Sequence, residues 1–193
     1  ITRARVVEAA AQMVAAGKFD TMTIRSIAAE LRVSPMSLYR HVRDKDDLLD
    51  EVVDHLLAQC WRPRADRREW VAWTKECAER FRVFLVDQPA ALHVYLAHPV
   101  VSPAAIERME TVLGVLQSAG FGEDAARRAF GTIHTYTIGF AALEASRARS
   151  QRRGDREDEV ADLLASYTTP RQFAAGLDVL FEGLERQRPG TPR

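Results

Sequence analysis

Apolar residues recur along this chain at spacings of three and four, and strict alternation is hard to find. The first spacing marks one face of a helix; the second would mark half-buried strands. Val6, Ala10, Met13 and Val14 share a face of a helix expected from about Thr2 to Ala16, which Gly17 ends. Phe19 is expected to tuck beneath it. Ile24, Ile27, Ala28 and Leu31 point inward from a second helix with Thr23 as its N-cap. After the short turn Arg32-Val33, Ser34 caps a third helix, with Pro35 at its first position, where a missing N–H costs nothing. Asp44 caps a fourth, with Asp46 and Asp47 in its first turn, favourable for the helix dipole. Leu48, Leu49, Val52, Val53, Leu56 and Leu57 form its apolar face.

The same period continues downstream. Residues 61–68, polar with Pro63 among them, read as a loop. A helix is expected over about 68–86, carrying Trp70, Trp73, Cys77, Phe81, Phe84 and Leu85. Pro89 and Pro99 bracket a short helix, and Pro103 begins another that ends near Gly120. A long helix is expected from Glu123 to Arg149, then a charged loop over 150–158 and a short helix over 159–166. The last helix begins after Thr169-Pro170 and reaches Gln187. No repeat of solenoid period occurs. The expected fold class is all-α, with about nine to ten helices. The expected organisation is a three-helix head over 1–46, a helical body over 47–187 and a disordered tail over 188–193.

Composition narrows the class. Of 193 residues, 47% are hydrophobic and 28% charged, as in ordinary soluble globular proteins. No apolar run reaches the ~18 residues that a membrane span needs. The opening residues lack the apolar stretch of a secretory signal, and with no initiator Met present further residues are expected upstream. Cys60 and Cys77 show no disulfide or metal spacing, so small buried thiols in a reduced, cytoplasmic protein are expected. Net charge is zero, but its distribution is uneven. Up to Lys45 there are eight cations (Arg3, Arg5, Lys18, Arg25, Arg32, Arg40, Arg43, Lys45) against four acids (Glu8, Asp20, Glu30, Asp44), leaving a head of +4 and a body of −4. A basic head on an acidic body suggests division of labour.

The segment Thr23 to Lys45 has helix-turn-helix dimensions, its third helix being about seven residues long. In that helix only Leu38 and Val42 must face inward; the rest gathers hydroxyls, cations and apolar tips. A major groove accepts such a helix, and its base edges match those donors and methyl contacts. Arg40 suits a guanine, and Pro35 or Met36 a thymine methyl. Tyr39, His41 and Lys45 suit phosphates, Lys45 beside the backbone N–H groups of the fourth helix. Thr23 and Arg25 are placed to grip the DNA backbone; Ser34 and Ser37 complete the set.

Here the resemblance becomes specific. The pattern T-I-R-x-I-A-x-E-L-x-V-S-x-x-S-L-Y-R-H-V-x-x-K-x-x-L-L resembles the DNA-binding head of the tetracycline-repressor family, and Leu38 to Lys45 is its most specific part. Phe173 to Gln187 looks like the last dimerisation helix of the tetracycline-repressor subclass; Trp70 to Leu85 and Thr137-Ile138-Gly139 also look like its body. The resemblance implies a homodimer with a four-helix interface and an effector pocket in each body. One position departs from the family pattern: Arg32 replaces the usual turn glycine, so an arginine is expected at positive φ.

Two stripes fit that interface. The last helix offers Phe173, Leu177, Leu180, Phe181 and Leu184; the long helix offers Ala129, Ile133, Tyr136 and Phe140, with Leu143 beyond. The alternative is that both stripes pack only within one chain. Trp73, Cys77, Phe81, Tyr95, His98, Met109, Leu113, Ile133, His134 and Tyr136 are candidates to line an effector pocket. In the tetracycline repressor a magnesium-bound drug is held by polar side chains. Cys77 stands where that subclass presents a drug-binding amide, and Phe81 matches an apolar wall. A different, more apolar effector is therefore expected, with no metal and no cofactor.

These readings combine into a ligand-responsive transcriptional regulator, a repressor released from a palindromic operator when an effector shifts the fourth helix. A helical small-molecule carrier or adaptor without DNA binding is the alternative. No enzyme is expected. His55, His93, His98 and His134 lack H-E-x-x-H spacing, no E-x-x-H repeat occurs, and no nucleophile elbow, phosphate loop or dinucleotide motif is present.

Overall fold

A computed structural model describes residues 1–60, 69–97, 100–153 and 166–188, without the side chains at 59, 60 and 149–153. The expected loop at 61–68, most of the expected loop at 150–158, the short helix at 159–166 apart from Ser166, the tail beyond Arg188, and His98 lie outside the described residues. Among the described residues the chain is helical, with no strand. Its helices are α1 (Arg3–Ala15), α2 (Ile24–Glu30), α3 (Pro35–Leu38), α4 (Lys45–Cys60), α5 (Trp70–Asp87), α6 (Pro89–Ala97), α7 (Pro103–Ser118), α8 (Glu123–Arg153) and α9 (Pro170–Gln187). A single 3-10 turn, Phe19–Thr21, joins α1 to α2.

The boundaries follow local chemistry. Thr2 caps α1 and Thr23 caps α2. At α2 the Thr23 hydroxyl accepts from the Ser26 N–H at 3.0 Å, while the Ser26 hydroxyl accepts from the Thr23 N–H at 2.9 Å. Asp44 accepts from the Asp47 N–H at 2.8 Å and so caps α4. Thr169 caps α9, whose first residue is Pro170. At the ends of α1 and α2 the same pair of reverse bonds returns orphan carbonyls to partners: Lys18 N–H to Met13 and Gly17 N–H to Val14, then Val33 N–H to Ala28 and Arg32 N–H to Ala29. This ending places one residue in left-handed backbone, Gly17 at φ 73° and Arg32 at φ 54°. The arginine thus occupies the conformation its position predicted.

The chain divides into two compact units, Ile1–Arg62 with Asp87–Arg108, and Pro63–Val86 with Met109–Arg193. This differs from a cut after residue 46: α4 and α6 group with the three head helices, and the division falls inside α7. In the first unit α4 packs on α1 and α6 through Leu48, Leu49, Val52, Val53, Leu56 and Leu57, all buried. Truncating one such leucine to alanine costs about 2–5 kcal/mol. Leu31, expected inside, is only half-buried. Asp54 of α4 also accepts from the Ala104 N–H at 2.7 Å, capping α7 alongside Ser102. Burial pushes the Tyr95 phenol of α6 up, and the guanidinium of Arg108 opposes that shift.

In the second unit α8 packs on α9. The Tyr136 ring stacks on Phe173 at 5.3 Å and its hydroxyl donates to the Phe173 carbonyl at 3.1 Å. Phe140 meets Phe173 edge-on at 5.0 Å. Trp70 of α5 sits between Phe121 and Phe181, at 5.2 and 5.5 Å. Arg82 is buried but paired, to Glu79 at 2.6 Å and Glu144 at 2.5 Å, with its guanidinium over Phe173. Those partners, Glu79 first, hold it firmly charged against the burial that opposes its charge.

Candidate nucleic-acid interface

The turn after α2 delivers the chain into α3, which is shorter than expected. It spans Pro35–Leu38, and Tyr39, Arg40 and His41 belong to the turn that follows. The physical reason lies in the anchors. Leu38 and Val42 are both buried, and the His41 and Val42 N–H groups donate back to the Leu38 carbonyl at 2.8 and 3.0 Å. One tight turn therefore seats both anchors, and no further helix is needed. Ser34 makes no side-chain cap bond; its hydroxyl lies 3.0 Å from that of Ser37.

What this turn leaves outside is the notable feature. Met36 is 72% exposed and Tyr39 52%, with Arg40, Pro35 and Ser34 exposed beside them. Large apolar tips are costly to leave in water unless something covers them, and here they alternate with a cation and hydroxyls on one short segment. Thr23 and Arg25 are exposed at the start of α2, although the Thr23 hydroxyl is committed to its capping box. Ser37 and His41 are half-buried.

Three cations of the head are placed differently from a free basic surface. Lys45 is half-buried, with its ammonium 5.3 Å from the centre of the Phe19 ring, and Phe19 in turn meets His93 at 5.5 Å. Arg43 pairs with Asp47 at 3.0 Å. Arg3 reaches Asp47 at 3.3 Å and also bonds Glu51 and the His41 carbonyl. Arg3 and Arg43 are cations of the basic head by sequence, but both are engaged by Asp47, which lies on the later helix α4.

The effector candidates fall into two groups. Tyr95 belongs to the first unit; Trp73, Cys77, Phe81, Met109, Leu113, Ile133, His134 and Tyr136 belong to the second. Trp73, Cys77, Phe81 and Ile133 are buried; Met109, Leu113 and His134 are half-buried. His134 stacks between Phe81 and Phe130, at 5.5 and 5.2 Å with interplanar angles of 15°. Tyr136 is already spent on Phe173, and burial raises its phenol pKa.

The residues of the expected dimer stripe already have neighbours in their own chain. Ala129, Ile133, Phe140, Phe173, Leu177, Phe181 and Leu184 are buried within the single chain, and Tyr136 and Leu180 are half-buried. These side chains contribute to the core of the second unit, where the apolar stripes of α8 and α9 face each other. The large apolar residues that remain exposed among the described side chains of the same helices are Leu143, at 63%, and Val179, at 70%.

Comparison with known proteins places this arrangement. The family description for the tetracyclin repressor-like C-terminal domain matches residues 62–171, and that for bacterial regulatory proteins of the tetR family matches residues 6–52. An HTH-type transcriptional repressor, DrrR1, of Streptomyces coeruleorubidus is 32% identical over 79% of this chain; the chain spans 57% of that relative's length. The class C tetracycline repressor protein of Escherichia coli is 28% identical over 95% of this chain and 83% of its own. A TetR variant from Acinetobacter baumannii, crystallised with minocycline, superposes with a TM-score of 0.78 at 26% identity, covering 100% of this chain and 97% of the other. No helix among the described residues is long and apolar enough to cross a membrane. With an exposed turn following a capped α2, and both halves of the chain matched in order, the protein belongs to the tetR family of bacterial regulatory proteins.

Proposed function

We propose that the protein is a cytoplasmic, homodimeric transcription regulator without enzymatic activity, a repressor that leaves a palindromic operator when a small-molecule effector binds. The observation that carries the reading is the segment Pro35 to His41. It holds Met36, Tyr39 and Arg40 in solvent while Leu38 and Val42 lock it from beneath. Such a turn offers a methyl-seeking tip, a phenol and a guanidinium to base edges and phosphates. Arg25, Thr23 and the first turn of α4, with Lys45, flank it as backbone contacts.

Two copies are needed to read half-sites about 34–36 Å apart. We assign the interface to the outward faces of α8 and α9, around Gly139 and Leu143 and around Ala175 and Val179, all exposed. The effector is of unknown identity and largely apolar. The Phe81–His134–Phe130 stack and the buried Trp73 and Cys77 support that chemistry, and no metal is required by it. Release follows if effector binding changes the set of α4, which carries the head. A coupling of about 1–3 kcal/mol suffices.

Selection from random duplex DNA with purified protein tests this directly. A palindromic sequence should emerge, with affinity that falls steeply with salt and drops on Arg40→Ala. Recovery of no sequence preference would leave the carrier or adaptor reading in its place.

A further inference from the structure

Arg3 is the first residue of α1, and charge counting alone makes it one more phosphate-binding cation of the basic head. Its surroundings describe a different task. A helix that ends leaves carbonyls without intrahelical partners, and the turn after α3 ends at His41. The guanidinium of Arg3 donates to that His41 carbonyl. The same guanidinium bonds Glu51 and reaches Asp47 at 3.3 Å, both on α4. Asp47 is the better buried partner, with 12% of its side chain exposed, and it also accepts from the Arg43 backbone N–H at 3.0 Å and from the Arg43 side chain. One planar fork therefore joins three elements: the start of α1, the end of the recognition segment and the first two turns of α4. Each of its three nitrogens has a partner within the protein, although 45% of the side chain is exposed, so the fork is held in one orientation at the surface.

We propose that Arg3 is a positioning residue, a strut that fixes the recognition segment to α4 and makes the two move as one body. The inference rests on the DNA-binding reading above and deepens it. Whatever tilts α4 then carries Pro35 to His41 with it, because the carbonyl at the end of that segment is tied to the carboxylates at the start of α4. Arginine is required rather than any cation: a lysine ammonium is a point charge and cannot span a carbonyl and two carboxylates in one plane.

The test compares wild type, Arg3→Ala, Arg3→Lys and Glu51→Ala, using the full chain. The probes are the operator recovered by selection and a random-sequence duplex, titrated across a range of salt. A strut predicts that Arg3→Ala and Arg3→Lys both weaken operator binding by roughly threefold to tenfold. Affinity for the random duplex and the slope of log K against log salt should not change. Glu51→Ala should act in the same direction and add little on top of Arg3→Ala. A second measurement needs no DNA: amide exchange at His41 and Val42 should quicken in both Arg3 variants while the α4 core stays protected. If Arg3→Lys restores operator affinity and Arg3→Ala lowers the salt slope by about one, Arg3 holds a phosphate and the proposal is wrong. An unchanged ratio of operator to random binding, or unchanged exchange at His41 and Val42, would overturn it equally. Absence of any selected operator for wild type would instead remove the DNA-binding reading, and exchange would still report on the strut.

Discussion

Arg32 shows how a single side chain can oppose its own backbone. Left-handed φ costs a non-glycine residue about 1–2 kcal/mol, and the reverse bonds at the end of α2 require it. Arg32→Gly should therefore raise stability by up to about 1 kcal/mol, the gain reduced by the greater freedom of glycine in the unfolded chain. Thermal unfolding of the variant measures it; a lower melting temperature would contradict the strain. Asp47 makes a second residue-scale prediction. The Arg43 backbone N–H, against the opposing effect of burial and with help from the Arg43 side chain and Arg3, holds its carboxyl below the ordinary value of 3.8. A carboxylate with a depressed folded pKa stabilises the fold above its unfolded value, and that contribution disappears as pH falls through the folded one. Asp47→Asn should be less stable than wild type at neutral pH, and the gap should close in acid below about pH 4. Denaturant titrations at several pH values would show whether the two curves converge.

At the scale of elements, the second unit depends on how closely α8 approaches α9. The ring of Tyr136 lies against the backbone of α9 where Gly176 leaves room, and a Cβ there would overlap the ring. Gly176 has ordinary helical backbone, so its role is close approach and not conformational freedom. Gly176→Ala should destabilise by about 1–3 kcal/mol, since the ring is held on Phe173 by stacking and by its hydroxyl and has little room to yield. Tyr136→Phe, which removes only the hydroxyl bond, should cost about 0.5–1.5 kcal/mol. Chemical denaturation ranks the two; a milder effect for the alanine would mean that the helices separate at little cost.

For the whole molecule, the burial of the expected dimer stripe redirects attention to Val179 and Leu143. A face carrying Val179 and small residues at Ala175 and Gly183 suits close helix packing across a twofold axis. Val179→Glu should yield monomers in sedimentation while helical content persists, and operator affinity should fall because each half-site then binds alone. A variant that remains dimeric would place the interface elsewhere.

Much of this protein could be read directly from residue order. Helical period, caps at Thr23 and Asp44, proline starts and glycine ends are local effects, so nine helices among the described residues follow expectation to within a few positions. The exposure of Met36, Tyr39 and Arg40 above buried Leu38 and Val42 was equally legible, because two inward anchors four residues apart leave most positions between them outside. What no local rule could supply was partnership. Whether Phe173 and Phe140 pack within their own chain, which ring lies beside Lys45, and whether Arg3 reaches outward or toward Asp47 depend on residues distant along the chain. Periodicity tells a side chain which face it occupies; only the packed structure decides what that face meets.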